Sequence, residues 1–169
     1  MRRILTQITR YWPFVALAAS ALMLTAAHIF ENLGYAPCTL CLHQREVYWV
    51  ALAVAVANLI VTRLLTGARF ERAMDAALAV IFLFGAGLAF YHSGVEWHWW
   101  AGPQACASTG AGATAESLNA LLAGADIKPP ACDEPNWWFL GLTMANWNTL
   151  VSLGLAALGG LATIRSRHA

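Results

Sequence analysis

The sequence has few charged residues. Asp, Glu, Lys and Arg make up 11% of its 169 residues, whereas they make up about a quarter of a typical soluble domain. Hydrophobic residues make up 59%, so the composition excludes an ordinary soluble domain and indicates an integral membrane protein. The net charge of +1 provides no attraction for a phosphate backbone, and no nucleic-acid partner is predicted.

Cysteine is also scarce, with four residues in the chain. Cys38 and Cys41 have C-x-x-C spacing, whereas Cys106 and Cys132 lie far apart in the long polar segment. A structural zinc site usually has two close pairs of ligands, and a c-type haem site needs C-x-x-C-H. The sequence therefore predicts no metal site. It also lacks the G-x-G-x-x-G motif of dinucleotide-binding proteins.

Four apolar stretches approach the length of about 20 residues that a membrane-spanning helix needs. They cover residues 13–31, 41–62, 73–92 and 147–164. We therefore predict an all-α membrane protein, in which a four-helix bundle forms one domain over residues 1–169. The loops on the outer side would be residues 32–40 and 93–146. Gly154, Gly159 and Gly160 would allow the fourth helix to pack closely against its neighbours.

The basic residues indicate how the bundle is oriented. Eight of the ten Lys and Arg residues lie before the first stretch, between the second and third, or after the fourth. The positive-inside rule then places both termini in the cytoplasm and both cysteine-bearing loops in the periplasm of a bacterium, where disulfides persist. The first stretch is longer than the apolar core of a signal peptide, so we expect it to be retained. Trp12 is expected to lie in the aromatic belt at the inner interface.

The C-x-x-C motif has features that favour thiol chemistry. Pro37 is suited to the first turn of a helix, and Cys38 and Cys41 would then share one helix face. The N-terminus of a helix stabilises a thiolate. Arg45 lies one turn beyond Cys41, where its charge would further favour the Cys41 thiolate or stabilise an anionic acceptor. A surface position, with the Arg45 head group reaching for water, is the other interpretation.

The remaining candidate residues have two interpretations each. The pair Cys106 and Cys132 could fasten a long loop, or form an exposed disulfide that exchanges readily. His92 ends the third stretch, and an ionisable residue at membrane depth is a functional candidate as well as a structural one. With no dinucleotide motif, a quinone is the natural acceptor for electrons that leave two thiols inside a membrane.

Several segments together resemble the disulfide bond formation protein B (DsbB) family, and the resemblance covers nearly the full chain. The segments carry cysteine pairs, aromatic residues and glycine turns in the same order as the family. They are Pro37-Cys38-Thr39-Leu40-Cys41 with Arg45, Tyr91-His92-Ser93-Gly94-Val95-Glu96 through Trp99-Trp100, Gly102-Pro103 before Cys106, and Cys132-Asp133-Glu134 leading to Phe139-Leu140-Gly141-Leu142-Thr143-Met144.

The resemblance implies an oxidase of the bacterial inner membrane. The pair Cys106–Cys132 would oxidise a periplasmic thioredoxin-like protein of the DsbA type, with Cys106 forming the mixed disulfide. Cys132 would then attack Cys38, and Cys41 would be released as a thiolate against a membrane quinone, either ubiquinone or menaquinone.

The resemblance also implies that Arg45 stabilises the contact with the quinone and that His92 and Met144 lie beside it. Two other functions are compatible with the sequence. One is a paralogue dedicated to a specialised DsbA-like partner. The other, from a different class, is a small membrane cytochrome in which His92 and a second histidine hold a haem.

Overall fold

The computed structural model describes residues 11–64, 68–103, 131–135 and 137–165. Four helices account for most of them: α1 (Trp12–Asn32), α2 (Thr39–Leu64), α3 (Ala68–Glu96) and α4 (Met144–Arg165). Each contains a segment of at least 21 residues that is long and apolar enough to cross a membrane. The predicted all-α membrane protein with four spanning helices is confirmed.

Helices α1 and α2 are joined by a short turn that the local sequence specifies. Pro13 lies in the first turn of α1, where its missing N–H costs nothing. Gly34 follows the end of α1 with a φ of 96°, a conformation that glycine adopts without strain. Helix α2 begins at Thr39, so Pro37 precedes the helix instead of lying in its first turn as predicted. This turn places Cys38 at the helix start.

Helix α3 extends beyond the predicted stretch of residues 73–92 at both ends. Its last turn, from Ser93 to Glu96, is helical although the apolar run ends at His92. Ser93 and Val95 are buried, because this turn packs against protein and not against lipid or water. The sequence-based limit was too short because it followed hydropathy alone.

The four helices run up and down, so that two helix ends and two helix starts meet at one end of the bundle. Cys38 before α2 lies beside His92 near the end of α3, and Thr143 before α4 donates a hydrogen bond to Glu96 of α3 over 2.5 Å. Helices that follow one another in sequence pack along each other, and α3 with α4 most extensively. By contrast, α1 touches α4 at few positions.

The opposite end of the bundle has an apolar core around Trp12. The Trp12 side chain is fully buried and its ring packs edge-on against Phe82, with 6.0 Å between ring centroids. A Cβ atom at Gly159 would lie 2.8 Å from the Trp12 ring and 2.9 Å from Ala79 Cβ. Trp12 therefore belongs to the core, and its predicted place in an interfacial belt is wrong. Of the three glycines singled out in α4, only Gly159 is closely packed, since Gly154 and Gly160 face open space.

A small β-hairpin precedes α4 and was not predicted within the loop of residues 93–146. Strand β1 (Trp138–Phe139) pairs antiparallel with β2 (Leu142–Thr143). The two turn residues, Leu140 and Gly141, have φ values of 51° and 77°, as a tight two-residue hairpin requires. Thr143 then accepts a hydrogen bond from the Asn146 N–H and caps α4. The hairpin thus sets where α4 and Met144 begin.

Candidate functional site

The C-x-x-C motif is built on the N-terminus of α2. Cys38 occupies the position before the first helical residue, and its Sγ accepts a hydrogen bond from the Cys41 backbone N–H over 3.3 Å. The two cysteines are free thiols with 2.8 Å between their sulfur atoms. Cys38 is only 5% exposed, whereas Cys41 is half-buried. Cys41 is therefore the sulfur that a small molecule in the adjoining space can reach.

The two sulfur atoms differ in their electrostatic surroundings. The hydrogen bond with the Cys41 side chain, and then burial, raise the pKa of the Cys38 thiol above its ordinary value. These surroundings therefore favour the protonated form of Cys38.

His92 lies directly beside the cysteines. Its Nε2 atom is 3.6 Å from Cys38 Sγ and 3.8 Å from the Glu96 Oε1 atom, one turn further along α3. His92 is 3% exposed, and the other Glu96 oxygen accepts the hydrogen bond from Thr143. An imidazole and a carboxyl group thus stand next to the thiols in a largely water-free space.

A chain of buried hydrogen bonds fixes the His92 ring. The Gln44 Nε2 atom of α2 lies 2.7 Å from His92 Nδ1. The Gln44 Oε1 atom accepts a hydrogen bond from Asn148 of α4, and Asn148 Oδ1 accepts one from the Tyr48 hydroxyl over 2.6 Å. Because the Gln44 amide nitrogen donates to Nδ1, the His92 proton is on Nε2 and points toward Cys38 and Glu96.

Arg45 is held in place by α1. Its Nη1 atom donates to Glu31 Oε2 over 2.5 Å, and its Nη2 atom donates to the Ala27 carbonyl oxygen over 3.1 Å. The Arg45 side chain is only 15% exposed. The guanidinium is therefore fixed within the bundle, and the snorkelling interpretation of Arg45 is not supported by its contacts.

A cavity of about 340 Å³ adjoins all of these groups. Apolar residues of α1 and α4 contribute to its lining, and Cys41, Arg45 and His92 are among the polar lining residues. Residues of the two loops complete the lining, among them Tyr35, Pro37 and Cys132. Helices α1 and α4 make few contacts with each other. The volume of the cavity and its mostly apolar lining suit a small apolar molecule with a few polar atoms.

The second cysteine pair is represented by Cys132. This residue is disulfide-bonded, almost fully buried, and packed in one cluster with Cys38, Leu40 and Val95. Cys106 lies outside the described residues. Of the predicted site residues that the structure describes, all line or adjoin the cavity: Cys38, Cys41, Arg45, His92, Cys132 and Met144.

Three residues of the site were not selected from the sequence. Gln44 follows Cys41 by three positions and Glu96 follows His92 by four, so each shares a helix face with a predicted residue. Asn148 is a buried polar residue inside an apolar span. Polar residues at membrane depth are functional candidates, and this signal would have identified Gln44 and Asn148, whereas Glu96 lies beyond the predicted end of the third span.

Comparison with known proteins agrees with the site. A family model described as "Disulfide bond formation protein DsbB" matches residues 9–162. Three bacterial relatives are each named as a disulfide bond formation protein B.

The protein from Albidiferax ferrireducens is 28% identical, over 94% of this chain and 88% of its own. The protein from Aromatoleum aromaticum is 29% identical, over 83% and 82%. "Disulfide bond formation protein B 2" from Pseudomonas entomophila is 30% identical, over 84% and 82%.

The family match covers nearly the whole chain, including the described cysteine site, the first three spanning helices and most of the fourth. The chain therefore belongs to the DsbB family and is a multi-pass membrane disulfide oxidoreductase.

Proposed function

We propose that this protein reoxidises a periplasmic thioredoxin-like thiol oxidase of the DsbA type and passes the electrons to a quinone of the bacterial inner membrane. Electrons would travel from the partner to the pair Cys106–Cys132, then to the pair Cys38–Cys41, and then to the quinone. Family membership supports the disulfide chemistry. The partner, the acceptor and the order of transfer are the new elements of the proposal.

The observation that carries the proposal is the position of Cys132. A disulfide-bonded cysteine of the long loop is packed in the same buried cluster as the free thiol Cys38. A disulfide that only fastened a loop would have no need to lie against a C-x-x-C motif. Thiolate attack on a neighbouring disulfide requires this proximity.

Two thiol–disulfide exchanges would carry the electrons from the partner to Cys41. A partner thiolate attacks Cys106, the bond between Cys106 and Cys132 breaks, and Cys132 leaves as a thiolate. Cys132 then attacks Cys38, the bond between Cys38 and Cys41 breaks, and Cys41 becomes the thiolate. Each step forms one S–S bond and breaks another, so the two electrons stay on sulfur until this point.

The two disulfides of the protein are then formed again. The second thiol of the partner displaces Cys106, which pairs again with Cys132 and frees Cys38. Cys38 re-forms its bond with Cys41 as two electrons leave for the acceptor. The partner departs with a new disulfide, and two thiol protons have been released.

The cavity fits a quinone head group. A bound quinone accepts two electrons and two protons, which is what one dithiol gives up on oxidation. The apolar walls from α1 and α4 suit a ring with an isoprenoid tail, and the few contacts between these two helices would allow such a molecule to enter between them. Met144 contributes to the α4 wall.

The polar groups that line the cavity would have separate roles. Arg45, fixed by Glu31, places a permanent positive charge next to the thiolate-bearing Cys41 and the oxygens of the acceptor. His92 carries its Nε2 proton toward the same space, and the Glu96 Oε1 atom lies 3.8 Å from that nitrogen. This pair could relay the protons released by the thiols to the oxygens of the acceptor.

The test is quinone reduction by the purified protein, supplied with a reduced DsbA-type partner. Wild type is compared with Cys38→Ser and Cys106→Ser. We expect wild type to reduce quinone and both variants to fail. A small dithiol, which can reach the half-buried Cys41, should restore turnover in Cys106→Ser but not in Cys38→Ser, because only the first retains the C-x-x-C pair.

Full turnover of Cys106→Ser with the protein partner would make the loop disulfide a structural fastening and would refute the relay. Absence of quinone reduction by wild type with every quinone tested would refute the acceptor. A Soret band in the purified protein would instead support the haem alternative. The contacts of His28 and His43 disfavour it, since both are exposed and pair with glutamates.

A further inference from the structure

We propose that the reduced Cys38 and Cys41 thiols, together with His92, form a binding site for one thiophilic divalent cation such as Zn²⁺, and that its binding blocks electron transfer. The site itself does not depend on the proposed electron acceptor. The blocking of quinone reduction does rest on the proposed function.

The three side chains supply a recognisable set of ligands. Their candidate ligand atoms, two sulfurs and one imidazole nitrogen, all lie within 4.8 Å of one another. Zn²⁺ favours a tetrahedron of Cys and His ligands with bonds of about 2.0–2.3 Å, so neighbouring ligand atoms are about 3.5 Å apart. The distance of 3.6 Å between Cys38 Sγ and His92 Nε2 already matches this spacing. The sulfur atoms, at 2.8 Å, would move apart slightly on binding.

The three ligand residues are largely buried and lie next to a cavity, as the ligands of a reactive metal site do. All three residues line the cavity; Cys38 and His92 are buried and Cys41 is half-buried. Three protein ligands leave a fourth position open toward the cavity, where a water molecule can bind. The Glu96 Oε1 atom lies 3.8 Å from His92 Nε2, so this carboxyl group would stand close to the cation.

The hydrogen-bond partner of His92 completes the arrangement. A histidine that binds metal through Nε2 donates its Nδ1–H to a neighbouring acceptor. Gln44 lies 2.7 Å from His92 Nδ1. Rotation of its amide by half a turn presents Oε1 to this hydrogen, and the same rotation of Asn148 preserves the bond between the two amides. Binding thus releases two thiol protons and moves the imidazole proton from Nε2 to Nδ1.

Such an ion would hold the protein in its reduced form. Both cysteine sulfurs would carry metal bonds, so neither could form an S–S bond or transfer electrons to the cavity. The oxidised protein, with Cys38 and Cys41 joined, offers no thiolate and would not bind the ion. The site would therefore respond to the redox state of the C-x-x-C pair.

The test uses Co²⁺, which replaces Zn²⁺ and absorbs light. All variants carry Cys106→Ser and Cys132→Ser, so that the loop thiols provide no ligands. The purified, reduced protein is titrated with Co²⁺ in the absence of quinone. We expect one ion per chain, with a sulfur-to-cobalt charge-transfer band and the visible bands of tetrahedral Co²⁺, both removed by added Zn²⁺.

Three comparisons isolate the site. Cys38→Ser should abolish the charge-transfer spectrum of the pair, and His92→Ala should weaken Co²⁺ binding at least about tenfold. His43→Ala is the matched control, because His43 is exposed and paired with Glu46. The Co²⁺ affinity of this variant should equal that of the protein that carries only Cys106→Ser and Cys132→Ser. Failure of the reduced protein to show the sulfur-to-cobalt band, or equal affinity in His92→Ala, would overturn the three-ligand site.

A second pair of variants keeps the test decisive if His92→Ala does not fold. Gln44→Leu removes the acceptor for Nδ1–H and should weaken binding about 10–100-fold, whereas Gln44→Glu provides an acceptor and should not. Equal affinities in these two variants would overturn the assignment of Nε2 as the ligand atom. With the wild-type cysteines, Zn²⁺ should inhibit quinone reduction and a chelator should restore it. Metal binding by a protein that reduces no quinone would uphold the site and refute only the proposed function.

Discussion

Gln44 connects three helices through one side chain. Its amide lies between His92 of α3 and Asn148 of α4, and all three residues are buried. In a space without water, losing the hydrogen-bond partner of a polar group destabilises the fold by the full desolvation cost of that group, about 1–3 kcal/mol. Gln44 therefore has a structural role as well as the orienting role described above.

The variant Gln44→Leu should lower the free energy of unfolding by about 1–3 kcal/mol, because His92 Nδ1 and the Asn148 amide nitrogen both lose the hydrogen bond to Gln44. Thermal unfolding of the detergent-solubilised protein measures the effect. The neighbouring His43→Ala variant, which loses only an exposed ion pair, should change the stability by less than about 1 kcal/mol. Equal stabilities of the two variants would mean that the buried chain of hydrogen bonds contributes little.

The sequence identified Cys38, Cys41 and Arg45 because their chemical type and spacing indicate thiol chemistry, and His92 because it is an ionisable residue at membrane depth. It did not identify Gln44 or Glu96 as parts of the site. Which polar side chains meet across three helices depends on how far each helix is rotated and where it ends. Neither quantity follows from hydropathy, and the extra turn of α3 that carries Glu96 lay outside the predicted span.

Gly159 is the contact point of three helices at the end of the bundle away from the cysteines. Without a Cβ atom, α4 approaches both the Trp12 ring of α1 and Ala79 of α3. Such contacts between small residues are a main source of helix association in membranes. The Ala79 backbone is part of the contact, with its Cα 3.1 Å from an added Cβ, so the neighbour cannot simply rotate away.

Gly159→Ala should therefore destabilise the bundle by about 1–3 kcal/mol, the usual cost of overpacking. Gly160→Ala provides the control, because an added Cβ at this adjacent position meets no atom within 4 Å. Its stability should be unchanged or slightly higher, since alanine favours the helix over glycine. Both effects appear as shifts in the thermal unfolding temperature, and equal shifts for the two variants would refute close packing at Gly159.

At the level of helices and strands, the sequence predicted the four spans but not the hairpin before α4. Each strand has only two residues, and Trp138 and Phe139 are both exposed. No alternation of buried and exposed residues therefore predicts a strand. The turn has Leu140 at a positive φ, where glycine or asparagine is usual. Tertiary contacts, including the bond from Thr143 to Glu96, stabilise this conformation against the local preference.

The orientation of the whole molecule in the membrane remains a prediction from its basic residues. The up-and-down arrangement puts the starts of α1 and α3 at the end of the bundle opposite the cysteines. Three clusters of Lys and Arg adjoin this end in sequence. The positive-inside rule then makes it the cytoplasmic end, and the cysteines face the oxidising compartment.

Reporter fusions test this orientation. Alkaline phosphatase, which is active only in the periplasm, should be active when fused after Pro103 and inactive when fused after Gly67 or Ala169. Green fluorescent protein should give the opposite pattern. An active phosphatase after Gly67 or Ala169 would invert the topology and would place the cysteine site in the reducing cytoplasm, where the proposed oxidase could not operate.

The mostly apolar lining of the cavity has a consequence for kinetics if the proposed quinone is the ligand. Such a ligand would be drawn from the two-dimensional solution of the bilayer, not from water. Its effective concentration is then the number of ligand molecules per lipid. Added lipid or detergent dilutes it although the amount in the sample is constant, and a Michaelis constant for this ligand has meaning only as a mole fraction in the membrane.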